Sequence, residues 1–149
     1  MSTTSTDNLV ARAVAVVGLA SVALIHVLDA HDTFVSAPYK GWLYVGLIAG
    51  TLITAAVLLR RDDARAWVAA ALFPAGAFAA FVVSRTVGLP QGADDIGNWW
   101  EPLGLASLFV EAAVVAVAAP LAWTGLRLGS TLQNPLKRVM ADAVIDSPG

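Results

Sequence analysis

Apolar positions along this chain fall into four long runs, at about residues 9–28, 41–59, 66–87 and 102–128, separated by short polar stretches. A run of about 20 apolar residues matches the roughly 30 Å thickness of a hydrocarbon layer at 1.5 Å rise per residue. The pattern therefore predicts four transmembrane α-helices that occupy nearly the whole chain. Short connections force sequence neighbours to run antiparallel, so the expected fold is an all-α integral membrane protein, a four-helix antiparallel transmembrane bundle.

The punctuation between runs fits this reading. Pro38 and Pro102 stand where a helix starts, Arg60 and Arg61 stop the second run, and Gly88-Leu89-Pro90 closes the third. Residues 1–8 are small and polar and predict a disordered N-terminal tail, with Asp7 or Asn8 as a helix cap. A cleaved signal peptide is the competing reading of the first run. Its basic flank is Arg12 alone and Leu28-Asp29-Ala30 is a poor cleavage site, so the helix is expected to stay. Residues 129–149 form a C-terminal tail in which Leu132, Leu136, Val139, Met140, Val144 and Ile145 make a loose apolar stripe beside Lys137 and Arg138. A helix lying on the membrane surface and a frayed tail both fit that stripe. Pro74 and Pro120 lie inside the third and fourth runs and should bend them, freeing the carbonyls of Ala70 and Ala116.

Composition sharpens the class. Of 149 residues, 58% are hydrophobic and 13% charged, about half the charged fraction of an average soluble domain. The absence of cysteine excludes disulfides, thiolate metal sites and thiol nucleophiles. A net charge of −2 with no basic stretch interleaved with aromatics argues against nucleic acid as a partner. Arg12, Arg60, Arg61, Arg65, Arg127, Lys137 and Arg138 fall on one side of the four runs, and only Lys40 and Arg85 on the other. The positive-inside rule then places both termini in the cytoplasm. Tyr39, Trp42, Tyr44, Trp99 and Trp100 would form the outer aromatic belt, and Trp67 and Trp123 the inner one. Usage rich in Ala, Val and Arg is similar to that of high-GC bacteria, so the expected location is a bacterial plasma membrane. In the second run Gly46, Gly50 and Thr54 recur every four residues. Such a seam permits close helix approach within the bundle, or contact with a membrane partner subunit or second copy.

Charges inside the runs carry the candidate chemistry, because each costs several kcal/mol at depth unless paired or hydrated. Glu111 lies nine residues past Pro102, among Leu108, Phe109, Val114 and Val115. Arg85 near the end of the third run is placed to pair with it. His26 and Asp29 share a face near the end of the first run, where the imidazole can hydrogen-bond the carboxylate. Facing them, the third loop carries Asp94, Asp95, Trp99, Trp100 and Glu101. His26, Asp29, Arg85, Glu111 and Trp100 are thus the candidate ligand-binding residues. His31 and Asp32, with Asp94 and Asp95, read more simply as solvated loop residues, and Trp99 and Trp100 as interfacial anchors. A structural ion pair explains Glu111 and Arg85 as well as a working site does.

Three functions are compatible with these residues. The favoured one is a non-catalytic protein that binds a partner subunit or a small ligand in an outer-leaflet polar pocket. A small proton-coupled transporter would use Glu111 as its titrating group. A metal-binding or redox accessory protein would use His26, His31 and Asp29, although their spacing is no known metal signature. Bis-histidine haem is disfavoured because both histidines lie in one short segment, and no other cofactor is indicated. Ser84 and Ser107 lack a nucleophile-elbow motif, so catalysis is not expected.

Overall fold

The computed structural model describes the backbone of residues 3–145 and the side chains of residues 7–128. It contains α1 (Thr3–Ser36), α2 (Pro38–Arg60), α3 (Ala64–Thr86) and α4 (Pro102–Ile145), with a short 3-10 turn at Ala93–Asp95 between the last two. All four helices are long and apolar enough to cross a membrane, which fits a membrane bundle.

The helix bounds differ from expectation mainly in α1 and α4. α1 begins at Thr3, so residues 3–8 of the expected tail are helical, and it continues past Leu28 to Ser36. The polar residues after Leu28 do not end it because they bond within the helix: Thr33 Oγ1 donates to Asp29 Oδ2 at 3.1 Å, and Ser36 Oγ to the Thr33 carbonyl at 3.2 Å. His31 and Asp32, expected in a loop, are therefore helical and exposed. The helix stops because Ala37 precedes a proline, and the proline ring pushes the residue before it out of the helical region; Ala37 sits at φ −152°, ψ 92°. Pro38 then opens α2 directly. α4 passes Leu128 and remains helical to Ile145. The side chains of the apolar stripe from Leu132 to Ile145, with Lys137 and Arg138, lie outside the described residues.

α1 packs on α2 and α4, α3 packs on α4, and α1 and α3 scarcely meet. Arg12 near the start of α1 donates Nε to the Leu58 carbonyl at 2.9 Å and its Nη2 to the Leu58 and Leu59 carbonyls. That contact satisfies carbonyls left open at the end of α2 and fixes the two helices antiparallel. Gly104 lies against Phe81, and Gly125 against Ala64, so α3 and α4 also run antiparallel.

Contacts between helices use small residues, as expected where lipid is as apolar as leucine and only close approach favours association. A Cβ added at Gly18 would meet Val114, and one at Gly50 would meet the Phe73 ring. Of the predicted seam, Gly50 thus receives α3 and Thr54 is buried, whereas Gly46 faces open space. The larger apolar side chains, such as Leu43, Ile53, Leu72 and Phe109, point outward.

The end of the bundle where α1 starts and α2 connects to α3, the terminal end, contains a dry core of Ala15, Leu19, Leu58, Trp67, Ala70, Val114 and Ala118. Trp67 corrects an expectation. It is not an interfacial anchor but is 97% buried, with Nε1 donating to Asp62 Oδ1 at 2.5 Å. Trp123 is exposed, and Arg127 stacks over it at 4.5 Å.

Candidate functional site

The other end of the bundle, where α1 turns into α2 and α3 connects to α4, buries polar groups in two layers. The deeper layer lies between α1, α2 and α4. His26, Asp29 and Thr33 fall at positions i, i+3 and i+7, which places them on one face of α1. Ser107 and Glu111 are one turn apart on α4, and Ser107 Oγ donates to Glu111 Oε1 at 2.6 Å. The same Oε1 lies 3.9 Å from His26 Nε2. His26 Nδ1 is 2.9 Å from the Val22 carbonyl, and since a carbonyl only accepts, Nδ1 carries a hydrogen. Glu111 is 1% exposed, and its Oε2 has no hydrogen-bond partner among the described residues. Tyr44 of α2 joins the cluster from the side. Its ring meets His26 edge-on at 4.6 Å, and its hydroxyl donates to Asp29 Oδ2 at 2.9 Å.

The outer layer is a latch. Asp95 accepts from Arg85 Nη1 through Oδ1 at 2.7 Å and from Lys40 Nζ through Oδ2 at 3.0 Å, so one carboxylate ties the end of α3 to the start of α2. Arg85 Nη2 also lies 3.7 Å from Glu101 Oε2, and its guanidinium stands over the Phe81 ring at 4.6 Å. Glu101 in turn accepts from the backbone N–H of Leu103 at 2.9 Å and of Gly104 at 2.7 Å, capping α4, a favourable place for a carboxylate. The loop is shaped to deliver Asp95. Gly88 and Gly97 adopt φ of 81° and 79°, and Gly97 N–H donates to the Arg85 carbonyl at 2.9 Å. Tyr39 holds the loop down through the Pro90 carbonyl at 2.7 Å. Burial pushes the Asp95 carboxyl up, but the hydrogen bonds and charges of Lys40 and Arg85 outweigh it and hold the group below the usual aspartate range.

The expected residues are only partly brought together. His26 and Glu111 meet. Arg85 does not pair with Glu111 but with Asp95 and Glu101, because its position at the last turn of α3 lets its long side chain reach the loop carboxylates. The expected bond from His26 to Asp29 is not made either; Asp29 takes Tyr44 and Thr33 instead. Trp100 is 85% exposed on the loop, outside the buried cluster. His31 is exposed, and among the described residues no group of three or more His, Asp and Glu could hold a metal ion, so His26, His31 and Asp29 do not converge.

Sequence reasoning missed Tyr44, Ser107 and the latching role of Asp95 with Lys40. The i, i+4 spacing of Ser107 and Glu111 was a usable signal, since a hydroxyl one turn from a buried acid is its cheapest local partner. Comparisons with protein-family models, characterised proteins and solved structures find no match to this chain.

Proposed function

We propose that this is a non-catalytic plasma-membrane protein of bacteria, its termini in the cytoplasm, that binds a small ligand or a partner subunit at the buried cluster. The single observation that carries this reading is Glu111 Oε2, a carboxylate oxygen buried between helices with no partner among the described residues. An acceptor left open in a medium without water costs free energy that a bundle held by packing alone does not need to spend. Its retention is explained by a donor that arrives from outside the chain. The ligand enters from the latch end, because the opposite end is packed solid by Leu19, Leu58, Trp67 and Val114. Opening requires Asp95 to release Arg85 and Lys40.

The test is purification in mild detergent followed by mass spectrometry of what travels with the protein. Wild type is expected to carry a small molecule or a partner that Glu111→Gln loses. A wild-type protein that elutes alone, with no retained molecule, removes the reading.

A second reading is favoured by one separate observation, the approach of His26 Nε2 to Glu111 Oε1 at 3.9 Å. Two titratable groups side by side at depth suit a proton-coupled carrier. In that case the dry end must also open during the cycle. Cells whose uptake or resistance is unchanged by Glu111→Gln would exclude the carrier.

A further inference from the structure

The contact between His26 and Glu111 has a proton count that follows from its geometry. Because Nδ1 spends its hydrogen on the Val22 carbonyl, the neutral ring presents a bare lone pair at Nε2. That lone pair faces Glu111 Oε1, itself an acceptor already receiving the Ser107 hydroxyl. With no proton between them, two acceptors would oppose each other and the pair would carry a net negative charge. Among the described residues no cation stands against the pair to offset it. Arg85 on α3 is committed to Asp95 and Glu101, Lys40 on α2 to Asp95, and the groups facing His26 from its own helix and from α2 are Asp29 and the Tyr44 ring. With two protons the pair would be a net cation, and the carboxylate that faces His26, Asp29, already accepts from the Thr33 and Tyr44 hydroxyls. Only the singly protonated pair is neutral, and a neutral pair is the form that a medium of low dielectric favours.

We infer that His26 and Glu111 together bind one proton, which lies either on Nε2, as imidazolium facing carboxylate, or on Glu111, as carboxylic acid facing the imidazole lone pair. Moving it between the two sites breaks an N–H bond and forms an O–H bond without changing the charge of the pair. The buried cluster is in this sense a proton-binding site. The inference concerns the cluster by itself and holds whether or not a ligand or partner is retained.

The chain is well suited to the test, since it contains only two histidines, His26 and His31, and two glutamates, Glu101 and Glu111. The full-length protein in lipid nanodiscs at neutral pH, labelled with 15N-histidine and 13C-glutamate, is examined by NMR for imidazole protonation and by infrared spectroscopy for a protonated carboxyl. His31→Gln assigns the histidines and Glu101→Gln the glutamates. The expected result is a proton count of one for the pair: imidazolium with ionised Glu111, or neutral Nδ1–H imidazole with protonated Glu111. A neutral ring beside an ionised Glu111 overturns the inference, and so does imidazolium beside a protonated Glu111. These counts are read on histidine and glutamate signals that do not require Glu111 to be replaced, so a variant that fails to fold does not spoil them. Where Glu111→Gln does fold, its ring is expected to be neutral with hydrogen on Nδ1 alone.

Discussion

The two ends of the bundle solve the same packing problem differently. At the terminal end, Leu19, Leu58, Trp67, Ala70 and Val114 form a core without charge, in which the buried Thr54 hydroxyl bonds its own helix at the Gly50 carbonyl. The charged groups present lie at the rim, with Arg12 on the carbonyls of α2 and Asp62 on the Trp67 indole. At the latch end, six ionisable or hydroxylic side chains, His26, Thr33, Ser84, Arg85, Ser107 and Glu111, are buried in place of apolar ones. Packing is enough to hold four helices together in lipid, so the polar end is the costlier construction. What it adds is a set of buried acceptors at a defined depth, covered by the Asp95 carboxylate with Arg85 and Lys40. The difference teaches which half is built mainly by apolar packing and which half carries the groups that the proposed function uses.

The sharpest way to break this division is to damage the dry end. Trp67→Ala removes the largest side chain of that core and its bond to Asp62, and large-to-small changes of this kind cost about 3–5 kcal/mol in soluble cores. Thermal unfolding in detergent should show the largest loss of any single change considered, while Trp67→Phe keeps most of the stability. A Trp67→Ala protein that melts like wild type would mean that the dry end does not carry the fold.

The next test makes the latch end resemble the dry end. Replacing His26 by Leu together with Glu111 by Met removes both members of the buried pair, leaving no lone charge. Such exchanges range from neutral to stabilising by about 1–4 kcal/mol. The double variant should therefore melt no lower than wild type and should lose any co-purifying molecule. Glu111→Met alone is a different experiment, since it leaves the buried His26 Nε2 facing no polar partner, while both variants forfeit the Ser107 bond. Loss of stability in the double variant would show that the pair is structural.

The latch itself gives a smaller effect with a definite sign in pH. Asp95→Asn removes a charged acceptor shared by Arg85 and Lys40, and because the group is about a third exposed the cost is discounted to about 1 kcal/mol. Since the folded-state Asp95 is held below its ordinary range, its contribution is present in full above the unfolded aspartate value of about 3.9. It is lost as pH falls through the lower folded value. Wild-type and Asp95→Asn melting curves should thus differ at neutral pH and converge on acidification, as proteolysis of the loop at residues 88–101 would also report.

Much of the architecture was legible from the chain because hydrocarbon leaves few choices: runs of the right length must be helices, and prolines at 38 and 102 mark starts that the structure reproduces. The extension of α1 through His31 and Asp32 was not legible, since its cause is local side-chain bonding at Asp29, Thr33 and Ser36, which hydropathy does not register. At the site, burial of Glu111 followed from residue type and depth, but its approach to His26 did not, since the sequence paired Glu111 with Arg85 and His26 with Asp29. The partner of Arg85 did not follow. Which of several nearby carboxylates an arginine chooses depends on loop geometry, here the left-handed Gly88 and Gly97 that bring Asp95 back over the helix ends.

The smallest predicted effect separates the two glycines of the α2 seam and bears on whether either end has a neighbour. Gly50→Ala places a methyl group on the Phe73 ring, where an added Cβ would lie within contact distance of three ring carbons, so Phe73 must move and the bundle should lose stability. Gly46→Ala meets nothing within 4 Å, and exchanging glycine for alanine in a helix interior favours the helix by up to about 1 kcal/mol. In an isolated bundle Gly46→Ala is therefore neutral to slightly stabilising. If the exposed half of the seam seats a second copy or a partner helix, the same change instead weakens the association, because the backbones can no longer approach as closely. Sedimentation or cross-linking of the two variants in lipid distinguishes these outcomes. Association that weakens with Gly46→Ala, while bundle stability holds, would place a partner against the face of α2 that the four helices leave uncovered. Association unchanged by Gly46→Ala would confine the use of the seam to the contact of Gly50 with α3.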